Sequence, residues 1–295
     1  HELFHDIYYD IDGMEKELEV KVWKAIQDAV SSGRVKLSSE YTRFGASQVK
    51  TVDLLAKLFV DLLSEIAADV CGGIQLSGPG FLYSVMTAFP AMGMGEREVT
   101  DTARMLWIES EYYVEGKKLT FEPHAVDWLR IRGLAELVGK LGFTEDAERF
   151  GKLADFGAGN KAPEYIEYLH AGGNKDMNLR FASDDLLKLF PIVCDVLMFE
   201  KLDCLEGRTM WEMFNWTAER QKKVLAIAKQ LENGKWSLPR GIGSVYATYI
   251  GAAAPIAYWN KVKAGVDPVK AAKAVNRNAS RMFGTLLRRF ESQLN

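Results

Sequence analysis

The chain has 295 residues, 48% of them apolar and 26% charged, with 25 Gly, 8 Pro and 3 Cys. This composition excludes a disordered or collagen-like chain, because there is ample apolar side chain to fill a core. Cys71, Cys194 and Cys204 form no CxxC pair, which argues against a disulfide framework or a cysteine zinc site. The first residues lack the basic and apolar regions of a signal peptide, so a reducing, cytoplasmic setting is expected.

Periodicity near 3.6 dominates and strict alternation is nearly absent, which predicts an all-α protein whose helices are joined by short Gly/Pro loops. Leu18, Val22, Ile26 and Val30 recur every four residues and predict a helix over 14–30. Residues 34–47 read as an extended arm or short hairpin, and 48–70 as a second helix stopped by Cys71-Gly72-Gly73. A turn at Ser77-Gly78-Pro79-Gly80 precedes an apolar run over 81–89. Further helices are predicted over 96–114, 123–141, 144–156 and 163–170. The helix over 182–199 opens on Ser183-Asp184-Asp185, an N-cap cluster, and one over 209–231 ends at Asn233-Gly234. Residues 241–260 carry no charge, yet they are rich in small residues and read as buried helix rather than a membrane span. Asp267-Pro268 starts a last helix reaching about residue 294. Glycines at 157, 159, 172 and 173 suggest two lobes, 1–160 with an N-terminal arm over about 1–12, and 161–295.

The net charge of −3 conceals a polarity along the chain. Residues 217–295 hold fourteen Lys and Arg against four Asp and Glu, and 1–216 hold 23 basic and 36 acidic residues. In the last helix, at about 100° per residue, Lys270, Lys273, Arg277, Arg281 and Arg288 share an arc of about 80°, opposite an apolar stripe. Like charges at these spacings repel, so the row implies a polyanionic partner. Lys222, Lys223, Arg240 and Trp236 extend the same surface, with Tyr246, Tyr249, Tyr258 and Trp259 as rings on which bases stack. The leading expectation is a self-assembling, nucleocapsid-like protein that packages single-stranded RNA without strong sequence preference. Its N-terminal arm would dock on a neighbouring copy. It needs neither cofactor nor metal, and leans away from an enzyme. The alternatives are a helical enzyme with a buried small-molecule or metal-dependent site, and a protein-interaction scaffold using the basic face.

Two motifs carry metal chemistry on paper. His1-Glu2-Leu3-Phe4-His5 matches HExxH, in which imidazoles one helical turn apart hold zinc and the glutamate activates water. Its place at the first residue, where a helix end frays or a tag leaves a histidine, counts against it. Glu167-Tyr168-Leu169-His170 adds a second ExxH, and the pair resembles a di-iron helix bundle drawing further carboxylates from Glu65, Glu109 or Glu111. His170 reads equally as a helix C-terminal residue, and His124 as a surface residue. GxGxxG, GxxxxGK[ST] and GxSxG do not occur, and Asp184-Asp185 lacks the further aspartate of a magnesium box.

Overall fold

The computed structural model describes residues 1–85, 109–115, 118–241 and 245–294, with 109–111 and 289–294 described for backbone only. Most of the helix expected over 96–114 and part of the run over 81–89 lie outside these residues. The chain is mostly helical, but it also carries two small sheets, so the all-α reading is corrected. Contacts divide it into two compact units, His1–Gly73 with Phe89–Phe214, and Ile74–Ala88 with Asn215–Asn295. Residue 160 lies inside the first.

In the first unit, α1 (Glu2–Asp10) and α2 (Met14–Ser31) are followed by a hairpin of β1 (Tyr41–Phe44) and β2 (Ser47–Lys50). The residues read as an N-terminal arm thus form a helix that buries Phe4 and Tyr8. Next come α3 (Thr51–Asp61), α4 (Leu63–Ala67) and a π-helical stretch, Ala68–Ile74, after which the one-turn α5 (Gln75–Ser77) belongs to the second unit. Cys71-Gly72-Gly73 does not stop the chain's helical course, because Gly72 is packed against α1 and its missing side chain is what lets the two segments meet.

A four-stranded sheet has the order β4 (Lys118–Phe121), β3 (Glu109–Glu115), β5 (Tyr165–His170), β6 (Leu179–Ala182). Only the β3–β5 pair is parallel. The helix expected over 163–170 is therefore a strand. Ile166 and Tyr168 are buried while their neighbours are not, a period of two that cross-strand pairing turns to use. Its face stacks Tyr112, Phe121, Tyr168 and Phe181 edge to face or tilted.

Two helices, α6 (Asp127–Lys140) and α7 (Thr144–Gly157), pack on each other, and α6 also meets α8 (Ser183–Phe199), where Gly133 lies under the Phe190 ring. The cap expected at Ser183-Asp184-Asp185 is absent. Asp185 accepts instead from the Ser38 backbone N–H and hydroxyl, at 3.0 and 2.9 Å, and Ser183 Oγ donates to the Pro163 carbonyl. All three cysteines are free.

The helix expected over 209–231 is two. A capping box of Thr209 and Glu212 starts α9 (Met210–Met213), and the Thr217 hydroxyl accepts from Arg220 N–H to start α10 (Ala218–Glu232). In the second unit, α10 meets α11 (Ala247–Lys263) through Trp216 against Tyr249 at one end and Asn260 bonded to Glu232 at the other, so the two run parallel. The charge-free stretch lies largely in α11, where Ala252 sits so close to Gly80 that a Cβ there would stand 2.8 Å from its own. The last helix, α12 (Pro268–Leu294), packs on α11 and α10. No helix among the described residues is long and apolar enough to cross a membrane.

Candidate metal centre

The site is assembled by α1, α4 and the chain around α6. On a helical wheel His1 and His5 fall within about 100° of Phe4 and Tyr8, with Glu2 to one side. Burying Phe4 and Tyr8 therefore turns both imidazoles inward and leaves the Glu2 carboxylate in solvent, 92% exposed. The fraying expected at this end does not occur, because burial of the two rings anchors the helix. The position argument against HExxH fails for that reason.

Glu65 on α4 meets the pair. His1 Nε2 and His5 Nε2 stand 3.2 Å apart, His5 Nε2 lies 3.2 Å from Glu65 Oε1, and His1 Nε2 lies 3.5 Å from Glu65 Oε2. These contacts use both oxygens of Glu65; with one ligand atom taken from each residue, the three lie within 4.8 Å of one another, a group that could hold a metal ion. Among the described residues they are the group of histidine, cysteine and carboxylate side chains close enough to share a metal ion.

A second layer holds these ligands. His1 Nδ1 lies 2.9 Å from Asp69 Oδ1, the carboxylate–histidine arrangement that fixes the tautomer and orientation of a metal-bound ring. Asp69 follows Glu65 by four residues, and both face α1. The guanidinium of Arg130, buried on α6, grips Asp69 through Nε and through NH2 at 2.7 Å, and lies 3.3 Å from Glu65 Oε2. Burial would push the Asp69 carboxyl up, but Arg130 and His1 hold it below the usual range. Burial acts in the same direction on Glu65, and His1, Arg130 and His124 outweigh it. Burial alone would lower His1; Asp69 and Glu65 push it up to about 9. The ring thus carries a proton between two carboxylates. With that proton removed, Glu65, Asp69 and Asp127 act on the single charge of Arg130, an excess of negative charge that a divalent cation would offset.

His124 stands beside this cluster rather than on an idle surface. Its Nε2 lies 3.6 Å from Glu65 Oε1 and its Nδ1 2.6 Å from Glu122 Oε1. The expected helix start at Pro123 is instead a loop leading from β4 into α6, which carries His124 toward Glu65. His124 is outside the three-residue group that could hold a metal ion.

The other sequence candidates separate from this site. Glu167 and His170 lie on β5, where helical ExxH geometry does not exist, and the side chains of Glu109 and Glu111 are outside the description. Lys270, Lys273, Arg277, Arg281 and Arg288 are exposed on α12, as are Lys222 on α10 and Arg240 and Trp236 in the following loop. Lys223 pairs with Glu219, Tyr249 is a core ring, and Trp259 Nε1 donates to the Tyr83 carbonyl.

Sequence reasoning missed Asp69, Arg130 and the placement of His124. One signal was available for Arg130, a charge between Leu129 and Ile131 on the apolar side of a helix. No known protein family, characterised protein or solved structure matches the chain.

Proposed function

We propose that this protein is a zinc-dependent hydrolase acting on peptide bonds, with His1, His5 and Glu65 as the metal ligands and Glu2 as the general base. The observation that carries the reading is that His1 and His5, one helical turn apart, converge on the Glu65 carboxylate, with one ligand atom from each of the three within 4.8 Å of the others. It is supported by the Asp69–Arg130 layer, because a positioned second layer is the usual companion of a functional metal site.

A zinc ion held this way supplies Lewis acidity to a carbonyl and lowers the pKa of a water bound to it. Glu2 is placed for proton transfer, with Oε1 3.8 Å from the ligand nitrogen of His1 and its carboxylate open to solvent. It takes a proton from the attacking water as the oxygen bonds to the carbonyl carbon. It then delivers that proton to the nitrogen as the carbon–nitrogen bond breaks. His124, whose Nδ1 is tied to Glu122, presents Nε2 on the Glu65 side of the site, where it would orient a carbonyl oxygen.

The test is metal analysis joined to peptide cleavage. The purified chain, dialysed free of metal and titrated with zinc, should bind one equivalent and cleave a quenched fluorescent peptide library only when loaded. Glu2→Gln should keep the zinc and lose cleavage by at least about 100-fold, the scale of a lost general base. His5→Ala should lose both. A folded chain that takes up no zinc at micromolar concentration overturns the proposal.

A further inference from the structure

The cationic row on α12 is not absorbed by the hydrolytic site. Among the described residues, Lys21, Lys57, Lys152, Lys188 and Lys223 each have a carboxylate one turn away within ion-pair distance, whereas the helical Lys16, Lys24, Lys222, Lys261 and Lys263 have none. The last helix gathers five cations of the second kind on one face. Lys270, Lys273, Arg277, Arg281 and Arg288 are all exposed, and among the described residues none has a carboxylate partner. Arg288 reaches only the Thr285 hydroxyl, and Asp267 is bonded to the Lys270 backbone as a cap.

The opposite face bears on what kind of anion fits. Ala271, Val275, Ala279, Met282 and Leu286 are buried, and α12 packs on α10 and α11. That stripe is committed to its own unit and is not free to enter a bilayer, while Val269, Phe283 and Leu287 stay exposed beside it, so a lipid surface is kept as an outcome of the test. The row runs for about 27 Å at 1.5 Å per residue, a rod that can lie along several consecutive phosphates. Within the same unit Trp236 is 45% and Tyr246 55% exposed, two rings open to base stacking.

We infer that α12 binds the phosphate backbone of single-stranded nucleic acid, without reading its sequence. This surface is independent of the metal ligands. Five cations give a slope of log K against log salt near −3.5, since each phosphate neutralised on a single strand contributes about −0.7. Affinity then falls by about 100-fold between 50 and 200 mM salt.

The test is fluorescence anisotropy of a labelled 30-nucleotide oligouridylate with the full chain over that salt range, alongside sedimentation with phosphatidylserine vesicles. The wild type should show the steep slope. K273Q/R277Q/R281Q should reduce it to about −1.4, with a salt effect of about sevenfold. Zinc content, peptide cleavage and melting temperature of that variant should match the wild type, which separates this result from any failure of the hydrolase reading. A flat salt dependence, unchanged binding by the triple variant, or binding to vesicles but not to the oligonucleotide overturns the inference.

Discussion

Gly72→Ala tests whether the packing of α1 against the π-helical stretch is what builds the metal site. A Cβ at Gly72 would stand 2.6 Å from Phe4 Cβ and 3.3 Å from the His1 backbone nitrogen. Non-bonded carbons prefer about 3.5–4.0 Å, so α1 has to retreat by about 1 Å. Metal sites tolerate errors of only about 0.2 Å in ligand distance, and the retreat moves His1 and His5 while leaving Glu65 behind. Overpacking of this kind costs about 1–3 kcal/mol, so the fold should survive. Zinc affinity should fall by at least about 10-fold, the lower end of what disturbed ligand support causes. Competition with a chromophoric chelator measures the affinity, and urea unfolding the stability. Gly251→Ala is the control, because nothing lies within 4 Å of the added methyl. It should leave zinc binding unchanged and raise stability by about 0.5–1 kcal/mol through helix propensity. Wild-type zinc affinity in Gly72→Ala would refute the reasoning, since it would mean that α1 can shift without carrying the ligands apart.

Two further predictions follow from buried and bridging charges. Arg130→Met leaves the buried Asp69 carboxylate answered by His1 alone, so urea unfolding should show a loss toward the lower end of about 3–5 kcal/mol. Most of it should return in the Arg130→Met, Asp69→Asn double variant, and a loss under about 1 kcal/mol for the single change would contradict the charge argument. Glu17 on α2 accepts from the backbone N–H groups of Asp203 and Cys204 at 2.8 and 3.1 Å. Burial pushes its carboxyl up, but these donors together hold it below the usual range. Glu17→Ala should therefore cost about 1–2 kcal/mol at neutral pH. A depressed folded pKa contributes stability that is present above the unfolded value of about 4.3 and lost as pH falls through the folded value. The gap between wild type and variant should thus close in acid, and a gap that persists at low pH would show that packing, not charge, holds the loop.

Local signals were legible wherever one helix decides its own course. The four-residue recurrence of Leu18, Val22 and Ile26 located α2, and the row of cations opposite Val275, Ala279 and Met282 located α12 with the correct face inward. The spacing of His1 and His5 likewise states that both imidazoles share a side if the segment is helical. Whether it is helical, and what covers that side, is not a local matter.

The helical period of most segments and the imidazole pair are readable from neighbours three or four residues apart, and the charge polarity from simple summation along the chain. That 165–170 is a strand is set by long-range pairing, since a short strand is stabilised by partners such as β3 and β6 rather than by its own residues. Tertiary packing likewise makes Glu65, Asp69, His124 and Arg130 converge on the first turn of α1. That convergence follows from burial of Phe4 and Tyr8 and from the space left by Gly72, interactions between segments far apart in the chain that no local period encodes.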